Sequence, residues 1–189
     1  HDALPIYADL SRPENRKTLR GYLDEIGIAN GKVGLVDIGY AGQIQAGYSD
    51  ISGNSLAGFY FATFRTSKEV LGDLPSAAFL ASGVAANDKR HGICRHRQIY
   101  ETLLCAPGPS FVGVERDGDG WRGVTAEGAD TPLRDEFVRA AHKGALEFVA
   151  EYGANRTGPA RVSPAAATAL LDAVLDDPTP GLAEWLGQL

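Results

Sequence analysis

The chain has 189 residues, of which 44% are hydrophobic and 22% are charged, enough for one substantial core with a small helical appendage. The net charge of −6 argues against general nucleic-acid binding, because surfaces that follow a phosphate backbone carry a basic excess. No apolar run approaches the roughly 20 residues of a membrane-spanning helix.

The termini and the cysteines indicate a cytoplasmic setting. The first residues lack the basic and apolar regions of a signal peptide. Cys94 and Cys105 form no CxxC pair, so we interpret them as reduced thiols. The chain contains no methionine, even at position 1, which suggests a processed chain or, in preference to that, a fragment cut from something longer. We expect no cofactor and no metal site, because no His, Cys and carboxylate set has metal-ligand spacing.

The first half of the chain predicts alternating helices and strands. Ser11 and Glu14 form a capping box for a helix that runs to about Ile26. A second helix is predicted after Gly42. The strands are predicted at residues 33–38 and 56–64, with a weaker candidate at 77–81.

The second half predicts one more helix, a hairpin and a helical end. Arg95–Cys105 has apolar residues at helical spacing. Two short strands, 111–116 and 121–125, flank an Asp-Gly-Asp-Gly turn, which is a strong hairpin signal. Three final helices are indicated by an N-cap residue followed by proline, at Thr131, Ser163 and Thr179.

These elements predict an α/β fold, a Rossmann-like three-layer sandwich with a mainly parallel sheet, a β-hairpin and a C-terminal helical subdomain. The β–α–β spacing of residues 33–64 is the main reason for this expectation. We expect the α/β domain to occupy residues 1–130 and the helical subdomain, packed on it, residues 131–189.

The segment from Asp37 to Gln45 is the first candidate site, because ligands of open α/β sheets bind where parallel strands end. One interpretation is a phosphate or nucleotide loop, in which glycines allow close backbone approach and glutamines supply amides. The alternative is an ordinary strand-to-helix turn in which Asp37 caps the helix. The residues proposed to form the loop are Asp37, Gly39, Tyr40, Gly42, Gln43 and Gln45.

A second candidate is the basic run from Lys89 to Arg97, the only dense basic patch in an acidic chain. Arg95 and Arg97 could clamp a phosphate at a helix start, or the run could be a solvated loop. Glu101 lies four residues after Arg97, so a helical ion pair is its simplest explanation.

Four segments together resemble a known family. Residues 36–45 resemble the VDIGW-x-G-x-x-Q segment that follows a haloacid-dehalogenase-type domain, with Tyr40 where Trp is usual. Residues 100–113 are similar to the family's E-x-x-F-x-A-P-x-G-S-x-x-G segment, with Pro109 interrupting the Gly-Ser pair. Residues 142–148 and 178–187 resemble its h-x-G-x-x-x-F helix and its closing P-x-x-x-E-A-x-x-x-G stretch.

The host proteins of that family build bacterial surface polysaccharides, capsule or O-antigen, and often carry glycosyltransferase domains. The resemblance implies a domain that binds a nucleotide-linked or phosphorylated sugar, with neighbouring domains of the same polypeptide as partners. It implies a cytoplasmic location, at the inner membrane face where partner domains hold it. Phosphatase activity is not supported, because Asp37 is followed by Ile-Gly rather than by the Asp-x-Asp pattern.

The leading hypothesis makes Asp37 and Glu101 a pair of candidate catalytic carboxylates that face one cleft, with either as general base of a glycosyltransferase-related reaction. Gly39, Tyr40, Arg95 and Arg97 would then bind the ligand around them. The rival hypothesis is a non-catalytic structural or docking module that keeps the fold without the chemistry. Exposed apolar surface on the terminal helices would favour that rival.

Overall fold

The structure is a computed structural model that describes residues 12–126, 132–156, 158 and 163–187. Within these residues the chain forms eight helices and five strands. In chain order they are α1 (Pro13–Glu25), β1 (Gly34–Asp37), α2 (Gln43–Ser52), β2 (Ala57–Phe64), α3 (Ser67–Leu71), β3 (Ser76–Val84), α4 (Gly92–Arg95), α5 (Arg97–Leu104), β4 (Phe111–Asp117), β5 (Gly120–Thr125), α6 (Pro132–Ala154), α7 (Pro164–Asp176) and α8 (Pro180–Leu186).

A parallel sheet with the strand order β1-β2-β3 forms the centre of the fold. The helices α2 and α3 provide the crossovers that parallel neighbours require. At the end of β1, Asp37 pairs with Tyr60 of β2. Helices flank this sheet and a helical region follows it, which confirms the predicted Rossmann-like α/β fold.

One face of the sheet is covered by α2, on which α1 packs. Leu19 and Leu23 of α1 are buried together with Ile51 of α2, because apolar residues four apart share one side of a helix. The Arg20 guanidinium adds a hydrogen bond of 2.8 Å to the Ile51 carbonyl oxygen. This face is the closed side of the domain.

The other face is covered near the carboxyl ends of β2 and β3 by α4, α5 and α7. The cluster on this side holds Ile93 of α4 and Tyr100 of α5 against Ala62 and Phe64 of β2. Leu171 of α7 packs against the same cluster. The remainder of this face carries no comparable layer in the described residues, as the exposure of Val36 at 85% indicates.

The hairpin of β4 and β5 and the terminal helices are attached at separate points. Trp121 of the hairpin meets the edge of the Tyr22 ring of α1, with 5.7 Å between ring centroids. In α6, the His142 imidazole lies 2.8 Å from the Leu103 carbonyl oxygen of α5. Closer to the start of α6, Phe137 contacts Trp185 of α8 edge to face.

Two predicted helix starts are confirmed by their hydrogen bonds. The Ser163 hydroxyl accepts the N–H of Ala166 at 3.2 Å, and the Thr179 hydroxyl accepts that of Leu182 at 3.4 Å. Thr131 and Ser11 lie outside the described residues. The predicted domain boundary near residue 130 falls among residues that the structure does not describe, and stays a prediction.

Three elements differ from the sequence-based expectation. Strand β3 spans nine residues rather than the five predicted. The single helix predicted from Arg95 to Cys105 is divided at His96, whose φ of −115° leaves the helical region. The short helix α3 was not expected. No helix in the described part of the chain combines the length and apolar character needed to cross a bilayer.

Candidate functional site

The turn after β1 is organised by the Asp37 carboxylate. Its Oδ1 accepts the N–H of Gly39 at 3.0 Å, which closes the turn. Burial raises the pKa of Asp37, and the hydrogen bonds from the Gly39 and Ile38 amides lower it in part. Asp37 therefore holds the turn, but α2 begins at Gly42 without a side-chain cap, so the predicted helix-capping role is not observed.

The glycines of this turn are required by protein packing. Gly39 has a φ of +145°, and a Cβ there would lie 2.8 Å from the Ala62 carbonyl oxygen. Gly42 has a φ of +80°, and a Cβ there would lie 2.6 Å from the Leu71 side chain. Both glycines thus allow close approach to β2 and α3, whereas the sequence interpretation assigned that approach to a ligand.

The two glutamines of the turn have opposite environments. Gln45 is fully buried, and its Nε2 donates to the carbonyl oxygens of Leu56 at 2.7 Å and Pro75 at 3.0 Å. Its Oε1 accepts the Tyr60 hydroxyl at 2.7 Å. Gln43 is exposed at the first turn of α2. The structure thus gives Gln45 a packing role in place of the predicted ligand contact, and leaves Gln43 accessible.

Tyr40 carries the most informative polar atom of the turn. Its ring stacks on Phe64 with 4.6 Å between centroids and an angle of 12°. Its hydroxyl is buried and has no hydrogen-bond partner in the described residues. Burial raises the pKa of Tyr40; the charge of Glu101 raises it further, and the charge of Arg97 lowers it. The charges of the Arg97–Glu101 pair are therefore close enough to act on this hydroxyl.

Most of the basic run is bound within the protein. The Arg95 guanidinium donates to both carboxylate oxygens of Asp176 in α7, at 2.8 and 2.7 Å, and to the Lys89 carbonyl oxygen. His96 lies 2.7 Å from the same carboxylate. These hydrogen bonds lower the pKa of Asp176. Arg95, predicted to bind phosphate, thus holds the helix α7 in this structure.

Arg97 and Glu101 form the accessible charged pair. Arg97 Nε and Glu101 Oε1 are 3.8 Å apart, and both side chains are nearly half exposed. This is the i,i+4 pair that the sequence spacing gave as the simplest explanation. A pair of this kind contributes little to stability, so both groups remain available to a ligand.

The structure does not bring Asp37 and Glu101 into one cleft. Asp37 pairs in register with Tyr60, whose hydroxyl reaches Gln45 of α2. The helix α5 packs through Tyr100 on Phe61, the next residue of β2. Asp37 lines an apolar groove together with Leu104 of α5, whereas Glu101 is not among the residues that line it. Of the two predicted catalytic carboxylates, only Glu101 acts on the pKa of Tyr40.

An open apolar groove of about 600 Å³ lies on the uncovered half of the sheet. Val36, Phe59 and Phe79 line it and are 85%, 52% and 47% exposed. Leu104 of α5 forms one wall. We call this surface the sheet groove. It is more apolar than a site for a phosphorylated ligand requires, and it resembles an interaction surface.

Sequence reasoning missed the carboxylates that occupy the basic run. Asp172 and Asp176 stand four residues apart on α7, so they face the same side of that helix. Asp172 accepts the Tyr100 hydroxyl at 2.7 Å, and Asp176 binds Arg95 and His96. The i,i+4 spacing of two acids on an otherwise Ala- and Leu-rich helix was the available signal.

Among the described residues, no group of three or more His, Cys, Asp or Glu side chains could hold a metal ion. Comparison of the chain with protein-family models, with curated proteins and with solved structures finds no match. The function is therefore argued from the fold, from the geometry around Tyr40 and from the resemblance of the sequence motifs.

Proposed function

We propose that this chain is a domain of a bacterial surface-polysaccharide biosynthesis protein, of the capsule or O-antigen type. In this proposal it binds a phosphorylated or nucleotide-linked sugar at the carboxyl edge of the sheet. Tyr40, Arg97 and Glu101 form the ligand site, Gly39 and Gly42 shape its turn, and exposed Gln43 borders it. Asp37 acts by holding the turn, and Arg95 by holding α7.

The observation that carries the proposal is the unpartnered hydroxyl of Tyr40. A buried hydroxyl without a hydrogen bond costs about 1–3 kcal/mol, so phenylalanine at this position would stabilise the fold better. The ring already packs fully on Phe64. A hydroxyl retained against that cost is best explained by a small partner, such as a bridging water that in turn contacts a bound sugar.

The charged pair beside it suits both halves of a sugar phosphate. The Arg97 guanidinium can donate two hydrogen bonds to a phosphate, and the Glu101 carboxylate can accept from sugar hydroxyls. When a ligand separates Arg97 from Glu101, the weak surface ion pair between them is replaced by two charge-assisted contacts with the ligand. If the whole protein transfers a glycosyl group, Glu101 is the carboxylate placed to act as general base.

The motif resemblance supports the same site. The family motif has Trp where this chain has Tyr40, and both side chains carry one hydrogen-bond donor on a large aromatic ring. Two other motif segments meet through His142 and the Leu103 carbonyl oxygen. The proposed setting is cytoplasmic, with neighbouring domains of the polypeptide as partners.

The test is a titration of isotope-labelled protein with UDP-glucose and glucose 1-phosphate, followed by amide chemical shifts. We expect shifts at residues 39–42 and 97–101. Tyr40→Phe should leave the protein as stable or more stable and weaken binding about 5- to 10-fold, the equivalent of one hydrogen bond. Tyr152→Phe, which removes an exposed hydroxyl from α6, should leave binding unchanged.

Absence of shifts at residues 39–42 with about 5 mM ligand would reject this site, because it excludes even millimolar affinity. Equal binding by Tyr40→Phe and the unsubstituted protein would remove the observation on which the proposal depends. Glu101→Gln separates the two charged roles, since it keeps the shape of the side chain and removes the carboxylate.

A non-catalytic docking module of the same multidomain protein is the second candidate, and the exposed apolar surfaces favour it. The sheet groove is one such surface. The second is the end of α6, where every residue from 143 to 155 is exposed, including Leu146 at 71% and Val149 at 63%. Exposed apolar patches of this kind usually mark contacts with other protein surfaces.

The docking role can be tested by substitutions in α6 alone. Binding of an environment-sensitive apolar dye should fall in a Leu146→Glu, Val149→Glu double variant, while unfolding free energy changes by less than about 0.5 kcal/mol. The matched control is the Lys143→Ala, Glu147→Ala double variant, which changes the charged side of the same turns. Equal dye binding by the unsubstituted protein and both variants would contradict a docking role for α6.

A further inference from the structure

A second cavity lies beside the edge strand β3, between that strand and α3. It has a volume of about 380 Å³, within the range of pockets that hold small molecules. Residues at its mouth come from the carboxyl ends of β2 and β3, including Arg65 and Gly83. Ligands of open parallel sheets bind at this edge of the sheet.

Two cations border the cavity without internal partners. Arg65 follows β2 directly, and Lys68 lies in α3. Both are exposed, and neither makes an ion pair or a side-chain hydrogen bond within the described residues. The acids nearest in sequence, Glu69 and Asp73, do not line the cavity. Arg95, by contrast, is already bound to a carboxylate.

Buried hydroxyls stand beside these cations. Thr63 and Ser67 line the cavity and are only 4% and 7% exposed. The Thr63 oxygen accepts the N–H of Gly83 at 3.1 Å, so its own proton is free to donate. Ser82 adds a third hydroxyl at the mouth. Leu71 and Leu74 form the apolar wall on the α3 side.

We infer that this cavity is a binding site for the phosphate group of a small phosphomonoester. A phosphate offers three acceptor oxygens, which match the guanidinium of Arg65, the ammonium of Lys68 and the hydroxyls beside them. The apolar wall then covers the body of the ligand. The inference does not rest on the proposed function, because Phe64 separates this cavity from the Tyr40 hydroxyl.

The experiment titrates isotope-labelled protein with inorganic phosphate at constant ionic strength, adjusted with sodium chloride. Saturable amide shifts are expected at residues 63–68 and 82–84, with a dissociation constant of about 1–10 mM. The Arg65→Gln, Lys68→Gln double variant should weaken binding at least about 10-fold. Both residues are exposed, so the variant should give an otherwise unchanged amide spectrum.

The matched control is the Lys17→Gln, Lys32→Gln double variant, which removes two exposed positive charges elsewhere. It should bind phosphate within about twofold of the unsubstituted protein. If both double variants weakened phosphate binding equally, the effect would come from net charge alone and the proposed site would be rejected. Shifts confined to residues 39–42 and 97–101 would assign phosphate to the Tyr40 site and would overturn the inference. The absence of any saturable shift up to about 50 mM phosphate would also overturn it.

Discussion

The two faces of the parallel sheet differ in how their polar groups are satisfied. On the face under α2, Gln45 is fully buried and uses its amide for three hydrogen bonds within the protein. On the other face, Tyr40 is almost as buried and its hydroxyl has no partner in the described residues. The first arrangement is that of a finished core, and the second is the observation on which the proposed ligand site depends.

The same contrast holds for the helices. The helices α1 and α2 are joined by a shared apolar cluster. The helix α7 is held mainly at its polar side, where Asp172 and Asp176 bind Tyr100, Arg95 and His96. Directional polar contacts are easier to exchange than buried apolar area. We therefore expect stability to depend most on the α2 face and binding to depend most on the opposite face.

The largest effect is expected for Gln45→Ala. It removes the side-chain partner of the Tyr60 hydroxyl and of the Leu56 carbonyl oxygen, leaves the Pro75 carbonyl oxygen with the Gly58 N–H alone, and opens a cavity. Together these changes should cost about 3–5 kcal/mol of unfolding free energy. Urea unfolding measures the change. Gln43→Ala, an exposed position on the same helix, should change it by less than about 0.5 kcal/mol. Similar losses for both variants would mean that the buried hydrogen bonds of Gln45 do not stabilise the face under α2.

Tyr100→Phe should have the next largest effect, about 1–2 kcal/mol. It removes the hydroxyl that donates to Asp172 from a ring that is 2% exposed. Amide hydrogen exchange should accelerate in α7 and stay unchanged in α2. Unchanged exchange in α7 would mean that its apolar contacts, including Leu171, hold it without the polar ones.

Asp37 links stability to pH. Asp37→Ala should cost about 1 kcal/mol at pH 7, because the Gly39 N–H loses its acceptor. The native pKa is raised, so the folded state keeps the proton to a higher pH than the unfolded chain, and stability falls as pH rises through that native value. Asp37→Asn keeps an acceptor and does not titrate. The Asp37→Asn variant should therefore lack this fall in stability with rising pH. Urea unfolding at a series of pH values would measure the difference.

If the unfolding free energy of Asp37→Asn still falls as pH rises, another titrating group causes the fall. The turn would then not be the source of the pH dependence. A loss in Asp37→Asn as large as in Asp37→Ala would show that the charge, rather than an acceptor, holds the turn.

The smallest effect is expected for Val36→Thr in the sheet groove, less than about 0.5 kcal/mol, because this side chain is 85% exposed. The same substitution at the buried Val138 should cost about 1–2 kcal/mol. Unfolding should be measured at two protein concentrations. A larger loss at Val36 that grows with concentration would mean that another molecule covers this face in solution.

Much of the fold was predictable because it depends on local signals. The continuous apolar run of β2 identified a parallel strand, and the Ser-Pro and Thr-Pro pairs at 163 and 179 identified helix starts. The division of the helix at His96 was not predictable, because the contact of His96 with Asp176 joins residues 80 positions apart. The short helix α3 lacks the length that gives a periodic signal.

The candidate site was predictable in position more than in the role of each residue. The sequence pointed to the turn after β1 and to the helix that carries Arg97 and Glu101, and the charges of these two residues act on the pKa of Tyr40. The roles of Gln45 and Arg95 depend on Tyr60 and on Asp176, and nothing local in the sequence specifies those partners. Arg65 directly follows β2 just as Asp37 ends β1, so it could have been found by the same rule.

The crowding around Gly39 and Gly42 has a consequence for reading related sequences. Any chain with this fold would retain both glycines whether or not it binds a ligand, since a side chain at either position would strike β2 or α3. The retention of these two glycines would therefore reflect a requirement of folding and not of ligand binding. The ring tip at position 40 is different, since it offers a donor that folding alone disfavours. For the proposed ligand site, exchange of that position for phenylalanine would mark a lineage that no longer binds the ligand.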